Sequence, residues 1–468
     1  MAKTPDLQTA RKVGRFQTKR RQGPLQELCK FSTCPREPPE DNQNSFLLYR
    51  VKAADAQLYP STPLLHPREH TMPEHGSVRL RQYGETIFAS MSRLAVETGS
   101  VNLGQGAPDF PAPRVVLEEA QHQIEIGNNQ YAPGRGIPEL RSAITDERAR
   151  RTGQQYDPRT ECLVTVGATE AVAATVLGLV EPGQRVVIVE PYYDSYEAAI
   201  SLAGARRTTI PLRPDAKGNW RLDPEETRRA ILGDENDGPA AMIILNSPHN
   251  PTGSILSVEE METIAAAAIQ ADALVLSDEV YERLIFDGAS HHSISELRGM
   301  RERTIVASSA GKTFNLTGWK TGWALAPEEL IDAIVRAKQF ITYVGATPMQ
   351  PAITVGLNEC DGWVGRLRDT LQHNRDMLVN GLRDLGAQVG DPHAGYFAVA
   401  DVSAWNLGTA PQAVHTLAHE AGVVGIPVTA FVDDTANPVF SSLVRFSFCK
   451  ERETVDEALR RLRAYVRR

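Results

Sequence analysis

Two lysines, two adjacent serines and three glycines crowd into Ser308-Ser309-Ala310-Gly311-Lys312-Thr313-Phe314-Asn315-Leu316-Thr317-Gly318-Trp319-Lys320-Thr321-Gly322-Trp323, directly after the strand-like run Thr304-Ile305-Val306-Ala307. A lysine at a strand end can condense with an aldehyde, while neighbouring hydroxyls and a second cation hold a phosphate. Lys312 is thus a candidate anchor, and Ser309 and Lys320 are candidate parts of a separate phosphate cradle. Asp278, in Ser277-Asp278-Glu279-Val280-Tyr281, lies 34 residues upstream of Lys312; alone, an aspartate after a strand reads as a helix cap. Asn250 sits among the turn formers of Asn246-Ser247-Pro248-His249-Asn250-Pro251-Thr252-Gly253. Gly167-Ala168-Thr169-Glu170 marks a strand-to-helix turn, where free N–H groups suit a phosphate. Arg445, inside the apolar pattern Leu443-Val444-Arg445-Phe446-Ser447-Phe448, is costly to bury unless paired. A substrate carboxylate is one bidentate partner for it, and a structural salt bridge is the other.

The elements that must position these groups are legible as short apolar runs. Cys162–Val166 precedes a helix starting near Thr169, Arg185–Val189 precedes Glu190-Pro191, Ala241–Leu245 precedes Asn246, and Leu274–Ser277 precedes Asp278. Continuous β-branched and aliphatic runs are expected of strands covered on both faces. Each polar candidate sits just past a strand's C-terminal end, where open α/β sheets bind ligands. From Arg79 the pattern is globular, and Ser77 to Val96 reads as a helix with Ile87, Met91 and Leu94 on one face.

Length and charge bound the rest. A chain of 468 residues accommodates two domains with sizeable cores. Its net charge of −8 argues against general nucleic-acid affinity. Residues 1–71 differ, with 12 Lys+Arg against 7 Asp+Glu, a basic cluster from Arg11 to Arg21, and no persistent period. They read as a disordered N-terminal extension, or as a start placed upstream of Met72; an N-terminal DNA-binding module would need apolar repeats this segment lacks. The five cysteines are sparse and irregular, which suits unpaired thiols in a reducing compartment and points to no metal site. No apolar run approaches the ~20 residues of a membrane span. A cytoplasmic protein with no membrane or nucleic-acid partner is expected.

The segment around Lys312, with Asn250, Asp278, Tyr281 and Arg445 in order along the chain, resembles class I/II aminotransferases of fold type I. It is especially similar to the kynurenine/glutamine and succinyldiaminopimelate transaminase branch. The resemblance spans roughly residues 79–468. It implies an α/β fold: a large domain with a mostly parallel sheet covered by helices, plus a smaller C-terminal α/β domain. The implied division is 72–114 as a segment joining the small domain, 115–358 as the large domain and 359–468 as the small one. It implies pyridoxal 5′-phosphate as cofactor, with Lys312 as the Schiff-base lysine and Asp278 against the pyridine nitrogen. Tyr281 and Asn250 would donate to the phenolate oxygen, and Asn250–Pro251 would be cis. Tyr193 would stack on the ring, with Tyr192 the candidate if the register slips by one. Ala168, Thr169, Ser309 and Lys320 would hold the phosphate. Tyr131 would reach the phosphate of a neighbouring subunit, making a homodimer with shared sites. Arg445 and Asn250 would hold the substrate carboxylate, and Gly106 and Phe88 would line the pocket or serve as core packing.

The implied activity moves an amino group between an L-amino acid and a 2-oxo acid, with glutamate/2-oxoglutarate as the usual pair. N-Succinyldiaminopimelate is the favoured substrate, with Arg135, Lys338 and Gln339 as candidate donors to its distal end. Kynurenine, glutamine or methionine would suit an aromatic pocket of Phe88, Phe340 and Tyr343. Cysteine-conjugate β-elimination and a ligand-sensing regulator are the remaining alternatives.

Overall fold

A computed structural model of the chain describes residues 77–467; the expectations for residues 1–71 lie outside the described residues. Strands follow in chain order as β1 (Val101–Asn102), β2 (Cys162–Val166), β3 (Arg185–Glu190), β4 (Arg206–Pro214), β5 (Trp220–Leu222), β6 (Met242–Asn246) and β7 (Leu274–Asp278). They continue as β8 (Thr304–Ser309), β9 (Thr321–Leu325), β10 (Gln388–Val389), β11 (Phe397–Asp401), β12 (Val423–Val424), β13 (Ile426–Pro427) and β14 (Leu443–Ser447). Eight of them form one sheet, ordered β2-β9-β8-β7-β6-β3-β4-β5. The block β8, β7, β6, β3 and β4 is parallel, β9 runs antiparallel between β8 and β2, and β5 pairs antiparallel on β4. A second, antiparallel sheet has the order β10-β11-β14-β13 and carries Arg445, in register with Val399 and Ile426.

Both faces of the large sheet are covered, which explains the unbroken apolar runs. Val187, Val189, Ile243 and Leu245 pack into one buried cluster. The alternate residues Val186, Ile188, Met242 and Ile244 pack into another, against the helices Gly167–Leu179 and Asp194–Ala203. The expected strands are present, and several run a residue or two past their apolar run. The reason is pairing: Asn246 sits opposite Asp278, and Asp278 opposite Ala307, so the first polar residue is still held in the ladder.

The expected helix from Ser77 to Val96 is corrected. A short 3-10 turn covers Val78–Leu80, and the helix proper is Ile87–Thr98. Thr86 caps it, its hydroxyl accepting from the Ala89 N–H at 3.3 Å, and Gly99 ends it at φ +62°. The preceding residues instead peg onto the large sheet's covering helix: Arg79 Nη1 donates to the Leu202 carbonyl at 2.7 Å, and the Tyr83 hydroxyl lies 2.7 Å from Ser201 Oγ.

Candidate active site

The C-terminal ends of β2, β3, β6, β7 and β8 and the start of antiparallel β9 lie along one edge of the sheet. They open into a cavity of about 340 Å³. Its lining includes Lys312, Asp278, Tyr281, Asn250, Tyr193, Ser309, Lys320, Ala168, Thr169, Arg445, Gly106 and Phe88. Residues from two sheets and from helix Ile87–Thr98 thus converge on one space.

Lys312 sits in the short helix Ala310–Thr313 that follows β8. Its Nζ lies 5.7 Å from the Tyr281 ring centroid and 5.3 Å from that of Tyr396. The Tyr396 hydroxyl donates to the Lys312 carbonyl at 3.0 Å, which fixes the backbone. Burial, with the positive charge of Arg445 adding to it, lowers the lysine's pKa and favours the neutral, nucleophilic amine.

Asp278 is buried at the end of β7. Its Oδ2 accepts from the Tyr196 hydroxyl at 2.6 Å and its Oδ1 from the Val280 N–H at 3.3 Å. Burial lifts the carboxyl to about 6, with these donors opposing. A buried carboxylate with two donors and no cation in ion-pair contact among the described residues is a waiting partner for a positive group.

Asn250 directly precedes a cis peptide bond: Asn250–Pro251 is cis, as are Ser247–Pro248 and Glu190–Pro191. The Asn250 N–H donates to Asn246 Oδ1 at 2.7 Å, which leaves its own side chain aimed at Arg445. Arg445 is fully buried. Its Nη1 donates to Asn250 Oδ1 at 2.9 Å and its Nη2 to the Gly104 carbonyl at 2.7 Å, while Nε has no partner. Phe397, Phe431 and Phe88 surround its guanidinium, with centroids at 3.9, 5.0 and 5.4 Å. Among the described residues no carboxylate pairs with it, so the structural salt bridge is not what Arg445 makes. Desolvation lowers its pKa to about 10, and a carboxylate entering the cavity would relieve that cost.

The cradle is built by close approach. Lys320, at φ +51°, turns its Nζ to donate to Thr169 Oγ1 at 3.2 Å. A Cβ on Gly322 would lie 2.5 Å from the Gly167 carbonyl carbon and 2.7 Å from the Ala168 nitrogen. Only glycine there lets β9 press against the start of helix Gly167–Leu179. That brings the helix's free N–H groups beside Ser309 and Lys320, a ready anion site. Gly106 is likewise constrained, since a Cβ would lie 2.5 Å from the Phe397 ring.

Contacts place Tyr192 and Tyr193 differently. The Tyr192 hydroxyl donates to Asp433 Oδ1 at 2.7 Å and is outside the cavity lining, whereas Tyr193 lines it, edge-on to Tyr196 at 5.7 Å. Tyr131 does not line the cavity of its own chain; it is 81% exposed, with its ring 5.5 Å from that of Tyr343. The three candidate distal donors are also elsewhere. Lys338 Nζ is taken by the Tyr343 carbonyl at 2.5 Å, beside Glu170, Arg135 is ion-paired with Asp332, and Gln339 is exposed. Phe340 is 87% exposed, and neither it nor Tyr343 joins the cavity wall. Sequence reasoning missed Tyr196, Tyr396, Phe397 and Phe431. The first has a local signal, three residues after Tyr193 in the first turn of the helix Asp194–Ala203; the others come from distant parts of the chain, the start of β11 and the turn Val428–Phe431.

A mostly parallel α/β sheet converging an amine, a carboxylate and an unpaired guanidinium on one cavity is the fold of the fold type I transferases. A model of the family "Aminotransferase class I and II" matches residues 98–462, and the chain belongs to this family. It is 48% identical over 396 residues to a probable N-succinyldiaminopimelate aminotransferase of Mycobacterium tuberculosis, covering 83% of this chain and 98% of that protein. It is 36% identical over 411 residues to kynurenine–oxoglutarate transaminase 3 of Mus musculus, covering 83% and 89%. The solved structure of N-succinyldiaminopimelate aminotransferase from Mycobacterium tuberculosis superposes with a TM-score of 0.80 at 48% identity, covering 83% of this chain and 99% of that one. The protein is a transaminase. Among its described residues no helix is long and apolar enough to cross a membrane.

Proposed function

We propose that the cavity holds pyridoxal 5′-phosphate and that the chain transfers the amino group of N-succinyldiaminopimelate, with glutamate/2-oxoglutarate as the second pair. The observation that carries the cofactor reading is the convergence of Lys312, Asp278 and the Gly167–Thr169 helix start on one cavity with unpaired Arg445. Lys312 would hold the aldehyde, Asp278 the ring nitrogen, and Tyr281 and Asn250 the ring oxygen. Tyr193 would cover the ring face, while Ala168, Thr169, Ser309 and Lys320 would hold the phosphate. When bound, the group supplies an electron sink for breaking a bond at the substrate's α carbon. Lys312, its pKa lowered by burial, moves the proton at that carbon. Arg445 and Asn250 hold the α-carboxylate, and Phe88, Phe397 and Phe431 exclude water around it.

The substrate choice is supported by the identity to the mycobacterial relative across nearly its whole length. Because Arg135, Lys338 and Gln339 are otherwise engaged or turned away, the substrate's distal end falls to groups brought by a second copy. Exposed Tyr131, Phe340, Ile341 and Tyr343 support such a homodimer, with Tyr131 reaching the neighbouring phosphate. Light scattering should give twice the chain mass; a monomeric active enzyme would refute the shared site. The aromatic side chains Phe88 and Phe397 in the cavity lining favour one second reading, a kynurenine-, glutamine- or methionine-type transaminase. Relative kcat/KM with 2-oxoglutarate as acceptor decides. The succinylated substrate should lead kynurenine and methionine by tenfold or more, about 1.4 kcal/mol of transition-state discrimination, and the reverse ratio would replace the substrate while leaving the transaminase chemistry intact.

A further inference from the structure

We propose that the Tyr196 hydroxyl is the positioning group that orients Asp278 and keeps it ionised toward the cofactor's ring nitrogen. The inference rests on the cofactor reading above and adds a residue to it. Tyr196 is buried, on helix Asp194–Ala203, and its hydroxyl donates to Asp278 Oδ2 at 2.6 Å. Its ring also meets Tyr193 edge-on, at 5.7 Å and 88°. One side chain thus braces both the carboxylate beneath the cavity and the aromatic that walls it. Asp278's other side-chain bond, from the Val280 N–H at 3.3 Å, is longer and comes from its own loop. Among the described residues Tyr196 thus supplies the only side-chain hydrogen bond to the Asp278 carboxylate.

The electrostatics point the same way. The groups facing Asp278 are Lys312 after β8, Glu279 and Tyr281 on its own loop, and Tyr193 and Tyr196 after β3. Burial lifts the Asp278 carboxyl to about 6; Glu279 pushes the same way, while Tyr196, the Val280 N–H and Lys312 oppose. The sign follows. Losing the Tyr196 donor raises the carboxyl's pKa further, so more of it is protonated near neutral pH. A protonated Asp278 offers the ring nitrogen no negative charge, and cofactor affinity falls.

The experiment uses the full chain stripped of cofactor and measures pyridoxal 5′-phosphate affinity by absorbance from pH 5 to 8. Wild type should lose affinity as pH falls through about 6. Tyr196→Phe keeps the ring and its contact with Tyr193. It should shift that acid limb upward by about one pH unit, giving ~tenfold weaker binding at acid pH, with affinities converging toward pH 8. In an Asp278→Asn background, Tyr196→Phe should shift nothing further. A Tyr196→Phe profile that overlays wild type overturns the inference, as does an equal loss at every pH, which marks a packing role only. If wild type fails to bind the cofactor at any pH, the functional reading falls and takes this inference with it.

Discussion

Replacing Lys312 with alanine should abolish amino-group exchange, lowering kcat by ~1,000-fold or more, while leaving the unloaded protein at least as stable as wild type. The two halves have one cause. Lys312 Nζ sits near the faces of Tyr281 and Tyr396, and no ion pair among the described residues holds it. Burial already disfavours its charged form, so the fold gains little from the amine. A group retained at a cost to the fold is retained for its chemistry. Steady-state turnover and thermal unfolding of the stripped protein check this. Activity within tenfold of wild type, or a collapse of the fold, would count against the assignment.

The second large effect is expected at Arg445. Arg445→Met should reduce kcat/KM for amino acids by roughly 100- to 10,000-fold, the worth of about two charge-assisted hydrogen bonds to a carboxylate at ~1.5–3 kcal/mol each. Stability should hold or rise, because methionine suits the ring of Phe88, Phe397 and Phe431 better than a desolvated guanidinium with an orphaned Nε. Arg445→Lys keeps a charge but loses the planar fork, and should recover little of the loss. The measurement is kcat/KM for an amino acid and for an amine of the same side chain lacking the carboxylate. The variant should lose discrimination between the two. If discrimination survives, the carboxylate is held elsewhere.

Much of this site was legible because it is written in local sequence. Each of Asn250, Asp278 and Lys312 follows a buried strand, and a polar residue that ends an apolar run reads clearly. The site's supports were not legible, because they depend on what the fold brings near. Nothing close to Gly322 in sequence says that its missing side chain makes room for Gly167. Phe397 and Phe431 look like ordinary core residues until β11 and the turn Val428–Phe431 place them around Arg445. The same limit produced the errors. Lys338 is a cation at the right distance along the chain, yet its helix turns it inward to the Tyr343 carbonyl and Glu170. The start of the first helix is a different, local matter: Thr86 caps it, so it begins at Ile87, ten residues after Ser77, and the apolar spacing of Ile87, Met91 and Leu94 does not by itself mark that start.

The central claim is that Lys312 is the residue to which the cofactor attaches. The most direct measurement is to load the protein with pyridoxal 5′-phosphate, reduce it with borohydride, digest it and locate the added mass by mass spectrometry. The account predicts one modified peptide, with the pyridoxyl group on Lys312 and none on Lys320, and no such peptide from Lys312→Ala. A stable adduct on Lys320 or on another lysine, or a loaded protein with no adduct at Lys312, would contradict it.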